Sequence, residues 1–488
     1  MDTANTPHGA SPAHGTTKDG AASGAAGCPV NHAAARPKTV IPATALPGPP
    51  DHMLKQLWKY RSLRTLWLTQ CRELYGDRIR LKIRPKSDIY LLSNADDVKA
   101  MFLAPRDTLH TGNGSAVLEK FFGNTGLAFL DEEEHLTRRK AIMPSFKGEA
   151  FKRIEASATK LAEQEVAAWP RNRVISLHPL VHRYTMKVIG EIIFGEVTPS
   201  CWDEMLEELM GVVEFNNHIM TVLRIEDMPG AVLRALTAIR RTGLRDFLGH
   251  RARADVLLAR AVKERLDAGD LGNDMLSVML GIRKEDGTPL SGVELRDEMM
   301  TMFIAGTETT ASVICWALEY LSREPAILQR VLAEIDEGTG DEYLTALVYE
   351  VLRVRPPLPN IILREVVKPI EIGGVRYEPG MELWASAHLL NRHPDHYEDA
   401  ERFNPERYLG TKPDLNIWIP FGGGHTRCLG DRIAIHEIKV MLREVLSTCD
   451  LRRVDPRPEG MRSRGVVIVP EHGTRLELRP RKAEVSLA

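Results

Sequence analysis

The densest chemistry lies near the C-terminal end, in Phe421-Gly422-Gly423-Gly424-His425-Thr426-Arg427-Cys428-Leu429-Gly430. The glycines allow positive φ and let the backbone approach a flat object closely. Cys428 stands just before a helical pattern, Asp431 to Leu446. The free N–H groups and dipole of a helix start favour thiolate over thiol. A thiolate so placed can ligate a haem iron and push electron density onto it. Two other readings use the same residues. A glycine-rich turn before a helix suits a phosphate, although no P-loop lysine follows it and no β-α-β pattern precedes it. A cysteine on a glycine turn can also be a buried structural residue.

A second constellation belongs to a helix. Ser291-x-x-Glu294 reads as a capping box, and the helical pattern it opens runs to Arg323, just before Pro325. Roughly 30 residues at 1.5 Å each span about 45 Å, enough to cross a domain. Near the middle stands Ala305-Gly306-Thr307-Glu308-Thr309-Thr310. Glycine and threonine are poor choices for a helix interior, and a threonine hydroxyl there can bond back to a carbonyl one turn earlier. A local rule broken at mid-helix marks either a functional site or a patch for close helix packing. The chemistry these residues suit is the activation of dioxygen, which needs protons. A small residue makes room, a hydroxyl holds the oxygen or a water, and an acid feeds the relay.

Glu350 and Arg353 fall at i, i+3 on one helix face, an ordinary surface pair if taken alone. Further along comes Phe403-Asn404-Pro405-Glu406-Arg407. A carboxylate buried between two guanidiniums would satisfy its lone pairs. His135 and Arg139, at i and i+4, share a helix face, which could equally be a solvated basic helix end. Arg364 lies on a strand-like stretch after Pro356-Pro357.

Taken in order from about residue 45 to 482, these motifs resemble those of the cytochrome P450 family. Phe421, Gly424, Cys428 and Gly430 match its haem-binding loop. The resemblance implies a mainly α fold with small β-sheets and haem b between the long central helix and the cysteine-loop helix, with Cys428 as axial iron ligand. It assigns Gly306 to the oxygen groove, Glu308 to the acid and Thr309 to the alcohol. Glu350, Arg353 and Arg407 become a structural cluster. His135, Arg139 and Arg364 become propionate contacts. The family usually has Arg or His two residues before the cysteine; here it is Thr426, flanked by His425 and Arg427, and which of these reaches a propionate stays open. Phe303, Ala305, Leu358, Ile361 and Ile362 are the expected apolar pocket wall, so a lipophilic small molecule is the expected substrate. The implied reaction is insertion of one oxygen atom of O2, by hydroxylation or epoxidation. The 60 residues after Cys428 are too few for a fused reductase. Electrons are therefore expected from NAD(P)H through a separate ferredoxin or flavodoxin with its reductase. Basic residues on the expected docking side are Arg138, Lys140, Arg427, Arg432, Lys439 and Arg443. Two rival functions keep the haem: a peroxide-using or rearranging enzyme, which commonly lacks the acid–alcohol pair, and a non-catalytic haem sensor or carrier.

Composition agrees with such a frame. A chain of 488 residues with 43% hydrophobic and 27% charged residues can bury a large core. Its net charge of -2 gives no basic face for nucleic acid. Six scattered cysteines without C-x-x-C pairs point to a reducing compartment rather than a disulfide framework. No apolar run is long enough to span a membrane, and no signal peptide is recognisable. A cytoplasmic monomer is expected. Residues 1–45, rich in small residues and proline, are expected to be a disordered tail. Cys28 and His32 lie in it at a spacing a metal could use. Residues 46–488 are expected to be one domain, helical from about 131 to 355. Strands are expected at 78–83, 88–93, 361–366, 369–377 and near 464–480.

Overall fold

The computed structural model describes residues 40–481, apart from 86, 116–117, 215–234, 236–237, 239–242, 270–271, 285 and 339. The expected tail falls largely outside the described residues, Cys28 and His32 with it. Its last stretch does not. Ile41–Pro42 pairs in parallel with Val375–Arg376, and Ala43 is fully buried. Composition misled there because a short strand needs only backbone donors and acceptors.

The long helix is Gly292–Arg323. Ser291 caps it, accepting from the Glu294 N–H while the Glu294 carboxylate accepts from the Ser291 N–H. Pro325 opens the next helix, so the chain turns rather than continues. The helix His178–Phe194 packs along the long helix. The cysteine helix, Asp431–Thr448, packs on it as well. Around them gathers the largest apolar cluster, including Tyr184, Ile193, Phe303, Trp316 and Met441.

The small sheets lie beside this helical body. The largest runs Arg78–Leu81, Ile89–Leu92, Glu382–Ala385, Arg364–Val366, Leu109–His110. Arg364 pairs with Leu383 in it, which fixes the guanidinium on an ordered strand. A second apolar cluster, with Tyr90, Leu92, Phe102 and Leu383, covers this sheet.

Glu350 and Arg353 on the helix Glu342–Val354 are both fully buried. They make two parallel hydrogen bonds of 2.7 Å. Arg353 spends its other donors on the carbonyls of Asn391, Ala400 and Arg402, and the Asn404 N–H donates to Glu350 Oε1 at 2.8 Å. The pair thus ties the helix to the loop that leads toward Cys428. Arg407 is the looser member. Its Nε stands 3.6 Å from Glu350 Oε1 without a hydrogen bond, and its Nη2 donates to the Asp399 carbonyl.

Losing one partner of a buried pair strands the other charge, at a cost of about 3–5 kcal/mol. Glu350→Ala should therefore yield little haem-loaded protein, whereas Arg407→Ala should lose less than half as much stability. Melting temperature and haem content of the two variants check this ordering.

Candidate active site

The Cys428 N–H donates to the Phe421 carbonyl (3.0 Å) and closes the loop. Gly422 and Gly424 both take φ of +66°, which favours glycine. The close approach they permit is to protein. A Cβ on Gly423 would enter the Phe102 ring, and one on Gly424 would strike the Phe102 carbonyl. Gly430 is different: its Cβ position has nothing within 4 Å. Among the described cysteines only Cys428 is exposed. Burial nevertheless pushes its thiol up, outweighing the Gly430 N–H and the Arg427 and Arg139 charges. Exposure and desolvation coexist if the sulfur opens onto a cleft within the protein. The helix start does not by itself secure the thiolate; a metal cation on the sulfur would.

Near this loop lies a group of cationic and ionisable side chains. His135 is buried and meets His425 edge-on at 5.9 Å. Burial, with the Arg139 charge, pulls His135 down to about 4; burial, with the Arg364 charge, does the same to His425. Burial also lowers Arg364 to about 10. Arg364 donates to the carbonyls of Met101 and Gly423 and to Thr426 Oγ1 (2.8 Å), and Arg139 donates to the Arg427 carbonyl (2.6 Å). These hydrogen bonds go to neutral acceptors, so the cations keep their charge for an anion. The set fits haem: an exposed cysteine, and imidazole and guanidinium groups for propionates. Thr426 accepts from Arg364, and Arg427 is engaged by Asp431 at 2.9 Å. His425 is the residue of the three that joins His135.

On the long helix, Ala305 is exposed and Thr309 half-buried, although Phe303, Thr307, Glu308 and Thr310 are buried. They share one face, and Thr309 Oγ1 donates to the Ala305 carbonyl at 2.7 Å. Two expectations fail here. Gly306 does not lie on that face: a Cβ there would collide with the δ-methyl of Ile189 on the His178–Phe194 helix. It serves close helix packing, and Ala305 is the small residue on the accessible side. Phe303 is fully buried against Phe194 and Trp202, each 6.2 Å away, because two residues rotate it about 200° from Ala305. Half-buried Met302, which sequence reasoning missed, falls on the Ala305–Thr309 stripe instead. Ile361 is also buried, in the apolar cluster over the main sheet; Leu358 and Ile362 keep accessible surface.

Glu308 is 3% exposed. Its Oε1 meets His178 Nε2 at 2.9 Å and Arg464 Nη1 at 3.6 Å, and its Oε2 lies 3.1 Å from His182 Nε2. Burial opposes its ionisation, but the two histidines outweigh burial and hold the carboxyl well below the usual range. The histidines could have been noticed, because they fall at i, i+4 on one apolar helix. Arg464 carries no sequence signal, since it arrives from a distant strand.

The basic residues expected on a docking side differ in their surroundings. Arg138 is buried, 3.3 Å from Glu294 and 3.4 Å from Glu298, because its side of the Glu132–Ile142 helix faces the long helix. Lys439 pairs with Asp341, and Arg443 donates to the Gly340 carbonyl. Lys140 and Arg432 are exposed.

Residues 47–477 match the family described as Cytochrome P450. The chain is 33% identical over 413 residues to cytochrome P450 137 of Mycobacterium tuberculosis, covering 83% of this chain and 84% of that one. It is 28% identical over 423 residues to cytochrome P450 135B1 of Mycobacterium bovis, covering 85% and 87%. Its fold superposes on the retinoic acid-bound cyanobacterial CYP120A1 with a TM-score of 0.75 at 20% identity, covering 91% of this chain and 100% of the other. The chain belongs to the cytochrome P450 family and has its fold. It is thus a haem-thiolate oxidoreductase of the monooxygenase class, using haem and O2. Among the described residues no helix is long and apolar enough to cross a membrane.

The position of Gly306 can be tested. Alanine would gain about 1 kcal/mol of helix propensity but overpack Ile189 at about 1–3 kcal/mol. Gly306→Ala should therefore lower the melting temperature while leaving the rate of carbon monoxide binding to the reduced protein unchanged. Slowed binding at full stability would return Gly306 to the oxygen side.

Proposed function

We propose that this monooxygenase hydroxylates or epoxidises a lipophilic small molecule in the cytoplasm. Its electrons come from NAD(P)H through a separate ferredoxin or flavodoxin with its reductase, and its haem domain begins near residue 40. The observation that carries the reading is the accessible Ala305–Thr309 face beside the buried carboxylate of Glu308, on one turn of a helix packed against the cysteine helix. Cys428 is the iron ligand. His135, Arg139, Arg364 and His425 hold the propionates. Met302, Ala305, Leu358 and Ile362 offer apolar surface to the substrate.

Haem, when bound, supplies the iron at which O2 is reduced and split. One oxygen atom enters the substrate and the other leaves as water, which consumes two electrons and two protons. The chain's own work is to deliver those protons in the right place. Thr309, anchored to the Ala305 carbonyl, presents a hydroxyl on the accessible face. Glu308, one residue back and turned about 100° away, is the acid behind it. A peroxide-using enzyme or a haem carrier needs no such pair. Exposed Arg432 and Lys140 give an acidic electron donor a cationic target, and charge would guide the encounter more than the final affinity.

Two variants test the assignment. Cys428→Ala should abolish the red-shifted Soret band of the reduced, carbon monoxide-bound protein, while Cys449→Ala and Cys315→Ala retain it. Thr309→Ala should still consume electrons and O2 but release more hydrogen peroxide and less organic product per electron. Unchanged product per electron would reduce Thr309 to a packing residue. The substrate class is read by titrating lipophilic ligands against the spin-state spectrum of the haem.

A further inference from the structure

Two of the protein's buried carboxylates, Glu350 and Glu308, have cationic neighbours of different kinds. Glu350 is held by Arg353 through two matched hydrogen bonds, and the Asn404 N–H adds a third. Arginine does not release its proton in a protein, so that cluster is fixed. Glu308 faces two histidines instead. His178 and His182 fall one turn apart on the same helix, their rings stacked at 5.7 Å and 22°, and their Nε2 atoms take one carboxylate oxygen each. Imidazole is the side chain that accepts and gives up a proton near neutral pH.

The cluster also has unspent hydrogen-bonding capacity. Glu308 Oε2 and His182 Nε2 are 3.1 Å apart but not aligned for a hydrogen bond, and Arg464 Nε has no partner among the described residues. A purely structural cluster at this depth is normally satisfied. The groups are also graded toward solvent. Glu308 and His182 have 4% and 2% of their side-chain surface exposed, His178 6% and Arg464 11%. Arg464 Nη1 lies along the N–C–N edge of His178, 2.9 Å from Nδ1 and 3.4 Å from Nε2.

We propose that His178 and His182 are the proton-transfer residues that resupply Glu308, with His178 on the solvent side. The inference rests on the reading that Glu308 passes protons toward Thr309. In the step itself an imidazolium N–H bond breaks, a carboxyl O–H bond forms on Glu308, and the neutral imidazole regains its proton from solvent water. No electrons move, and the protons are those the monooxygenase reaction consumes. The charged and titratable groups facing His178 are Glu308 on the long helix, His182 on its own helix and Arg464 on the strand Met461–Arg464. Burial above all, then Arg464 and His182, lower its affinity for a proton, and Glu308 opposes them.

The test uses His178→Gln and His182→Gln in the haem-loaded enzyme. Glutamine can still donate a hydrogen bond to Glu308 but cannot carry a proton. Haem content and substrate affinity should stay at the wild-type level. Product per electron should fall at least fivefold in the double variant, with hydrogen peroxide rising, and the solvent isotope effect on turnover should increase. A second readout is independent of turnover. In the reduced, carbon monoxide-bound enzyme, the histidine ring NMR signal removed by His178→Gln should titrate, and its midpoint should move in Glu308→Gln. If His182→Gln fails to load haem, the more accessible His178→Gln carries both readouts. Wild-type product per electron in the glutamine variants, with Glu308→Gln uncoupled, would overturn the histidine relay and leave the role of Glu308 standing. Full coupling in Glu308→Gln would overturn both.

Discussion

A helix buried along most of its length must find a partner for every polar side chain it carries, and the arrangement around Gly292–Arg323 follows from that constraint. The Asp297 carboxylate is 0% exposed and accepts the N–H groups of Asn124 and Thr125. Glu298 accepts from the Leu127 N–H and from Arg138. Glu319 is met by Arg323 one turn on. Ser312 donates to the Ile468 carbonyl and so pins a strand of the last third of the chain. Asp297, Glu298 and Ser312 thereby recruit a loop near residue 125, a helix and a late strand, so the long helix organises segments far apart in sequence. The face left without such a neighbour is the one bearing Ala305 and Thr309.

The cysteine side obeys a complementary constraint. Burial raises the Cys428 thiol, and the nearby cations only partly offset it. The same burial lowers His135, His425 and Arg364. Each shift disfavours the charged form, and each would be relieved by a bound group that is cationic at the sulfur and anionic at the imidazoles and guanidiniums. Haem, with its iron and its propionates, has that distribution. The ion pair of Glu350 and Arg353 takes no part in this exchange; it fixes the loop that brings the cysteine to its place.

What could be read from sequence was what depends on local order. The capping box, the turn at Pro325 and the start of the cysteine helix are set by neighbours within a few residues, and each stands where the pattern puts it. The burial of Glu350 and Arg353 was legible only because a second motif, ending at Arg407, accompanied them. The failures share a cause: orientation. Gly306 and Ala305 are adjacent, and motif order alone does not say which one faces the His178–Phe194 helix. Phe303 is two positions from Ala305, and hydrophobicity draws it to the core as readily as to a pocket. Arg138 looked like a docking charge because nothing nearby in sequence shows that Glu294 and Glu298 neutralise it. Ile41 and Pro42 looked like tail because their sheet partners lie more than 300 residues away.

Helical rotation explains why residues 305–309 must be contiguous. Each step turns about 100°, so five residues visit every side of the helix. Ala305 and Thr309, nearly one turn apart, return to the accessible face and share a hydrogen bond across the turn. Between them, Gly306 lets Ile189 come close and Thr307 packs near Met186, with its carbonyl accepting from Thr185. That packing brings the start of the His178–Phe194 helix against Glu308. The small glycine and the threonine at 307 therefore help to set the distance at which His178 and His182 stand from the carboxylate. Inserting one residue between 305 and 309 would rotate the hydroxyl off the accessible face and the acid off its histidines together. The motif is thus a single turn of helix that separates an accessible side, a packing side and an ionisable side, and each needs the other two.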